Sequence, residues 1–235
     1  MRSIVLALFL TLSLFANELY VAAGAGYKRP ITGLGALFEK ESGVKINPMF
    51  GNMAQVGEQI KNSDKISILF GDEDFIEKLK VSYAQKVDLG KGILVLVFAK
   101  NDKNYASIKD LGNPNIKKIG LPDTKKAIYG IAADEFLTNT KLKDSLKDKL
   151  TVFQTVPQVS SYLISGDIDA GFINKTDYIG IADKVGSVTD IDSKLYAPIK
   201  IVGVVISGKE NSDTKAFLEF LKSPKAKAIL EKFGM

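Results

Sequence analysis

The sequence predicts an α/β chain folded into two lobes, each a parallel-rich sheet flanked by helices, with a ligand cleft between them. Three observations predict this. Short apolar runs alternate with amphipathic helical patterns along the whole chain, as in sheets covered by helices. The first unit, Glu18 to Gly43, reads as strand, glycine turn and helix. Two long apolar runs, Gly92 to Phe98 and Ile199 to Ile206, bracket a self-contained βα block. Both are expected to cross between lobes, giving residues 17–95 and 202–235 as lobe 1 and residues 96–201 as lobe 2. The space between two such lobes is a common place for a ligand.

In chain order, Leu19 to Ala23 is a short buried strand and Gly24-Ala25-Gly26 a turn. Pro30 suits a first helical turn, and Ile31, Leu34 and Phe38 give the following helix one apolar face. Gly43 is placed to stop it. Lys45 to Phe50 is a second strand, after which Asn52 and Gln55 have capping-box spacing for a helix carrying Met53, Val56 and Ile60 on one face. Ile66 to Phe70 is a strand running into Gly71-Asp72-Glu73-Asp74, whose carboxylates complement the dipole of a helix around Phe75 to Leu79. Lys118 to Leu121, Leu150 to Phe153 and Ala170 to Ile173 read as further strands. Helices are expected at Ile108 to Leu111, near Ile128 to Leu137, and from Pro157 to a stop at Gly166. Asn211-Ser212-Asp213 caps a helix with Phe217, Phe220 and Leu221 inward, and Ser223-Pro224 separates it from a last helix ending at Gly234.

The composition removes many functions. The 235 residues, 46% hydrophobic, suffice for a packed core in one large domain or two lobes. Met1 to Ala16 has a positive start and an apolar run from Ile4 to Phe15, as in a signal peptide, with bulky Leu14 leaving the cut uncertain by a few residues. The run is too short to span a membrane, and no cysteine follows it to carry a lipid. An exported, periplasmic protein is expected. With no Cys and no His there is no disulfide, thiolate, zinc-cysteine site or imidazole base. The net charge of +5 is spread over single lysines and short pairs without interleaved aromatics, which argues against a nucleic-acid partner. Arg29 is the only arginine after the signal segment, so an anion would be held mainly by backbone.

The first strand–turn–helix offers free backbone N–H groups and a positive helix end, the ingredients of an anion site, although many such turns bind nothing. It is not a dinucleotide fingerprint, because Arg29 stands where the third glycine belongs. A phosphate-binding P-loop motif is absent as well.

Five blocks, in order, carry a resemblance over essentially the whole mature chain: VAAGAG with the later FEKESGV, FGNMAQVGEQI, IGLPDTKKAIYG, SGDIDAGFINKTDY and TKAFLEFLKSPKAKAILEKFG. The chain resembles the periplasmic molybdate-binding proteins that feed ABC transporters. The resemblance implies a type II periplasmic-binding-protein fold that holds a tetrahedral oxyanion, molybdate or tungstate, with neutral donors. It implies no cofactor, no free metal ion, no enzymatic activity, a membrane permease as partner and a monomer. By position, the family's two serine contacts fall on Gly26 and Met53, its backbone donors on Tyr129 and near Val156, and its tyrosine contact on Asn174.

Here all three hydroxyls are missing. Backbone N–H groups at Gly26 and Met53 survive any side chain, and the Asn174 amide can donate. Tyr27, Asn52 and Tyr129 are the candidates for replacement side-chain donors. Three hydroxyls lost without substitutes would weaken binding by about two to three decades. The loops GAG, GNM, AIYG and FIN contain no Asp or Glu, which suits an acceptor-only dianion, although Asp123 and Asp177 lie nearby in sequence. Sulfate shares that property and phosphate, which keeps a proton, does not; binding of either is the alternative. A more remote one is an exported hydrolase using Glu73 and Asp74, which adjacent on a helix point apart. A scaffold or adhesion protein that has lost its ligand is a third.

Overall fold

The computed structural model describes residues 17–100 and 105–235. The expected signal peptide lies outside the described residues. In chain order the elements are β1 (Glu18–Gly24), α1 (Lys28–Ser42), β2 (Lys45–Gly51), α2 (Met53–Lys61), β3 (Ile66–Asp72), α3 (Glu73–Lys78) and β4 (Tyr83–Gly92). They continue as β5 (Leu94–Phe98), β6 (Ile119–Pro122), α4 (Ile128–Asn139), α5 (Leu142–Leu146), β7 (Leu150–Phe153), α6 (Val156–Ser165), β8 (Ala170–Asn174), α7 (Lys175–Ile179) and β9 (Val188–Asp190). The chain closes with β10 (Ile199–Ile206), α8 (Ser212–Leu221) and α9 (Pro224–Lys232). No helix among the described residues is long and apolar enough to cross a membrane.

Two five-stranded sheets form the two lobes, ordered β2-β1-β3-β10-β4 and β7-β6-β8-β5-β9. Both are built to one plan. Three parallel strands joined through helices occupy one side: β2, β1 and β3 in the first sheet, β7, β6 and β8 in the second. One strand in each runs against them, β10 in the first sheet and β5 in the second, and the edge strands β4 and β9, pairing antiparallel with it, run the same way as the parallel three. Each sheet is mixed, with four of its five strands pointing the same way. The opposed strand in each, β5 or β10, is the one by which the chain enters that lobe from the other.

The crossing points differ from the expected ones. The run Gly92 to Phe98 is not one strand: β4 ends in the first sheet at Gly92 and β5 begins in the second at Leu94, with Ile93 between them. Ile199 to Ile206 lies wholly in the first sheet, so the return crossing is the segment before it. The expected limits at 95 and 201 thus each fall inside a strand. Strand β4 was not foreseen. It is a sheet edge, its pattern alternates, and only Val87 and Leu89 face inward with near-complete burial. A search for apolar runs steps over such a segment, whereas the fully buried β3 is conspicuous. The short α5, α7 and β9 were likewise not read. Ile108–Gly112 is a 3-10 turn rather than an α-helix, and the last helix ends at Lys232, two residues before Gly234.

Helix ends follow their local chemistry. Gly43 and Gly166 stop α1 and α6 in the left-handed conformation at φ 75° and 78°. Asn52 accepts from Gln55 N at 2.9 Å while Gln55 Oε1 accepts from Asn52 N at 3.0 Å, the reciprocal capping box. In lobe 1 an aromatic cluster ties helices to sheet. Phe217 of α8 packs on Phe38 of α1 with ring centroids 4.8 Å apart, and meets Phe70 of β3 edge-on at 6.2 Å. Because Phe217 is fully buried where α1, α8 and β3 meet, Phe217→Ala is expected to destabilise the protein by about 3–5 kcal/mol, read as a lowered urea midpoint.

Candidate functional site

Four helix N-termini converge on one small cavity between the lobes. It is lined by Gly24 to Tyr27 ahead of α1, Gly51 to Met53 ahead of α2, Ala127 to Tyr129 at the start of α4, and Thr155 and Val156 at the start of α6. The first two come from lobe 1 and the last two from lobe 2. No charged side chain is among the lining residues. The cavity volume is about 20 Å³, the scale of one small polar group. Larger openings lie elsewhere. A groove of about 800 Å³ runs behind the hinge along Gly90 to Ile93 and Ser193 to Lys200, and one of about 420 Å³ runs beside β4 and α9. Neither gathers helix N-termini.

Three of the helix starts at the site lack side-chain caps. A helix leaves its first N–H groups without internal partners, and a side chain normally accepts from one of them. Of the helices that start elsewhere, α3, α8 and α9 are capped by Asp72, Asn211 and Ser223, and the five-residue α5 and α7 have no side-chain cap. At the cavity the cap positions of α1, α4 and α6 are Tyr27, Ala127 and Thr155, and none makes a side-chain cap bond. Only α2, with Asn52, is capped. The positions that line the cavity thus keep open N–H groups at positive helix ends. Gly130 lets α4 sit this close: a Cβ there would lie 2.2 Å from the Asp123 carbonyl oxygen and 2.5 Å from that of Pro122.

Six of the seven sequence-derived candidates, Gly26, Tyr27, Asn52, Met53, Tyr129 and Val156, are brought together on this lining. Asn174 is not among the lining residues. It is fully buried behind Gly26, and its Nδ2 donates to the Gly26 carbonyl at 2.9 Å across the lobes. Its Oδ1 has no hydrogen-bond partner among the described residues. Asn52 spends its Oδ1 on its own helix. The Met53 side chain packs against the backbone of Gly24 and Gly71, in the lobe 1 core, so only its main chain faces the ligand space. Tyr27 and Tyr129 hydroxyls meet at 2.7 Å. Sequence reasoning missed Ala127 and Thr155; the signal was a helix start with no functioning cap.

The nearby carboxylates are turned away. Asp123 accepts from the main-chain N–H of Lys125 and Lys126. Asp177 takes Arg29 at 3.3 Å and the Ser160 hydroxyl. Glu73 is held by Lys86 and Lys200, which keep its carboxyl below the usual range.

A model of the bacterial extracellular solute-binding protein family matches residues 19–235. The chain belongs to that family. It is 28% identical to the molybdate-binding protein ModA of Rhodobacter capsulatus over 239 residues, 99% of this chain and 93% of that one. Its fold is similar to the periplasmic molybdate-binding protein of Azotobacter vinelandii, with a TM-score of 0.84 and 28% identity, covering 92% of this chain and 98% of the other. The solute-binding fold explains the architecture: two lobes on a double crossing, able to close over a small ligand.

One titratable group beside the cleft of this solute-binding protein has a stability consequence. Asp72, at the end of β3, is mostly buried and caps α3 while accepting from Lys200 N at the start of β10. Burial pushes its carboxyl up to about 6, against the main-chain donors of Phe75 and Lys200 that pull it down. The folded protein therefore binds this proton more tightly than the unfolded chain. Its contribution is full below about pH 4 and is lost as pH rises through about 6. Asp72→Asn removes that loss, so its thermal midpoint relative to wild type should rise between about pH 4 and 6 and level off above; a constant difference over that range would refute it.

Proposed function

We propose that this solute-binding protein captures molybdate, or tungstate of the same shape and charge, in the cleft and delivers it to an ABC permease. The observation that carries this reading is the convergence of four helix N-termini, three of them without side-chain caps, on a small cavity with no charged side chain in its lining. Such a cavity offers donors and positive helix ends. It lacks the carboxylate acceptor that would suit an oxyanion still carrying a proton. The two molybdate-binding relatives support the choice of anion among the acceptor-only dianions. The protein works as a periplasmic monomer, with no cofactor and no turnover. The engagement of Glu73 by Lys86 and Lys200 leaves no poised carboxylate pair for hydrolysis.

Thermal unfolding of the mature protein with molybdate, tungstate, sulfate and phosphate in turn tests this. A ligand at about a hundred times its dissociation constant adds roughly 2.7 kcal/mol. An upward shift with molybdate or tungstate is expected. A shift with sulfate or phosphate alone would reassign the anion, and no shift with any of them would sink the reading.

Thr155→Asp is the companion variant. The half-buried Thr155 is the uncapped start of α6 on the cavity lining, and aspartate there is a strong N-cap. The variant should remain folded, with an unchanged or raised unfolding midpoint, yet bind molybdate about 100-fold or more weakly through like-charge repulsion. Wild-type affinity in this variant would misplace the site.

A further inference from the structure

Tyr27 and Tyr129 stand on opposite lobes, and their hydroxyl oxygens lie 2.7 Å apart. Both residues line the cavity and are almost wholly buried. Two hydroxyls carry two hydrogens, and the bond between them uses one. Among the described residues no protein acceptor takes the other. The buried Asn174 amide adjoins the Tyr129 hydroxyl, but its Oδ1 accepts no hydrogen bond. Burial pushes both phenols well above the usual tyrosine range, so each keeps its hydrogen at neutral pH. A buried hydroxyl hydrogen without an acceptor is costly, and here it belongs to residues on the wall of a cavity framed by further donors.

We infer that the Tyr27–Tyr129 pair is the discriminating side-chain contact of this site: the hydrogen left over from the interlobe bond is given to an oxygen of the bound oxyanion, in place of the absent serine and tyrosine hydroxyls. This rests on the oxyanion reading above and deepens it. The contact favours a fully deprotonated dianion. An anion that brings its own hydrogen adds one more donor to a lining that already offers donors and has no carboxylate to accept it, and that hydrogen left without a good acceptor is a disadvantage of roughly 5- to 150-fold. The pair forms only when the lobes meet, so closure commits one hydroxyl hydrogen to the interlobe bond and leaves the other for the ligand.

A double-mutant cycle tests this, with molybdate and phosphate titrated calorimetrically into wild type, Tyr27→Phe, Tyr129→Phe and the double variant. If the pair only latched the lobes, either single change would break the bond and the double would cost nothing more. As a donor, the hydroxyl remaining in each single variant still has its hydrogen for the ligand. Each single change is expected to weaken molybdate binding roughly 2- to 12-fold, and the double a further similar factor. The preference for molybdate over phosphate should shrink in the double variant.

The chain has no tryptophan, so the near-UV change on adding molybdate reports tyrosines and should diminish in the double variant. Unfolding midpoints without ligand separate lost stability from lost affinity. A double variant that binds molybdate as tightly as either single, or as wild type, overturns the inference while leaving the oxyanion reading intact. Wild type that binds none of the oxyanions overturns both.

Discussion

Helix N-termini without caps of their own govern the cleft. The first turn of any helix has N–H groups that its own backbone cannot satisfy, and the aligned peptides add a partial positive charge. Where α3, α8 and α9 begin, a nearby side chain meets that demand. Where α1, α4 and α6 begin, none does. Three such ends, together with the capped start of α2, face one cavity from both lobes. An anion placed among them satisfies donors on either side of the cleft at once. Binding and closure are then one event, because the full set of donors is assembled only when the lobes are together.

Among the described residues, the side-chain hydrogen bonds and the ion pair between the lobes come from one short segment of lobe 1. Gly26 accepts from Asn174, Tyr27 pairs with Tyr129, and Arg29 reaches Asp177. The one arginine among the described residues is therefore engaged by the other lobe. It lies where a side chain at Gly180 would be, since a Cβ there would sit 2.0 Å from its Nε. A neutral hydrogen bond contributes about 0.5–1.5 kcal/mol net, and the ion pair joins a partly exposed Arg29 to a buried Asp177. Together they orient closure without forcing it. An equilibrium of that depth is one that a ligand of modest differential affinity can shift.

Most of this fold was legible because its elements announce themselves. Parallel strands buried on both faces, such as β3, read as continuous apolar runs, and the capping box at Asn52 and the stop at Gly43 read from single residues. The edge strand β4 did not, since an edge needs only an alternating pair of inward side chains. The crossing at Ile93 was hidden inside an unbroken apolar stretch, because a residue leaving one sheet for another stays buried. In the site, positions on the loops were legible and directions were not. Six candidates share the cavity lining, yet nothing in the sequence says that Met53 turns into the lobe core or that Asn174 sits behind Gly26. Ala127 and Thr155 escaped notice because an uncapped helix start is recognised only once the neighbouring helix starts are seen to face it.

The departures at Gly26, Met53 and Asn174 are connected. A Cβ at position 26 would lie 3.1 to 3.3 Å from the Asn174 amide, closer than it accommodates without shifting, so glycine at 26 and asparagine at 174 fit each other. The asparagine in turn bonds the Gly26 carbonyl and draws the first turn of lobe 1 against lobe 2. That approach brings Tyr27 within reach of Tyr129. Met53 exchanges a hydroxyl for anchorage between Gly24 and Gly71, which fixes the start of α2 from within the lobe 1 core. In the proposed site the side-chain donor is the tyrosine pair at the seam where the lobes join. A serine on one wall offers its hydrogen bond in the open protein as well as the closed one. Tyr27 and Tyr129 sit on opposite lobes, so in the proposed site their hydroxyls orient each other only after closure.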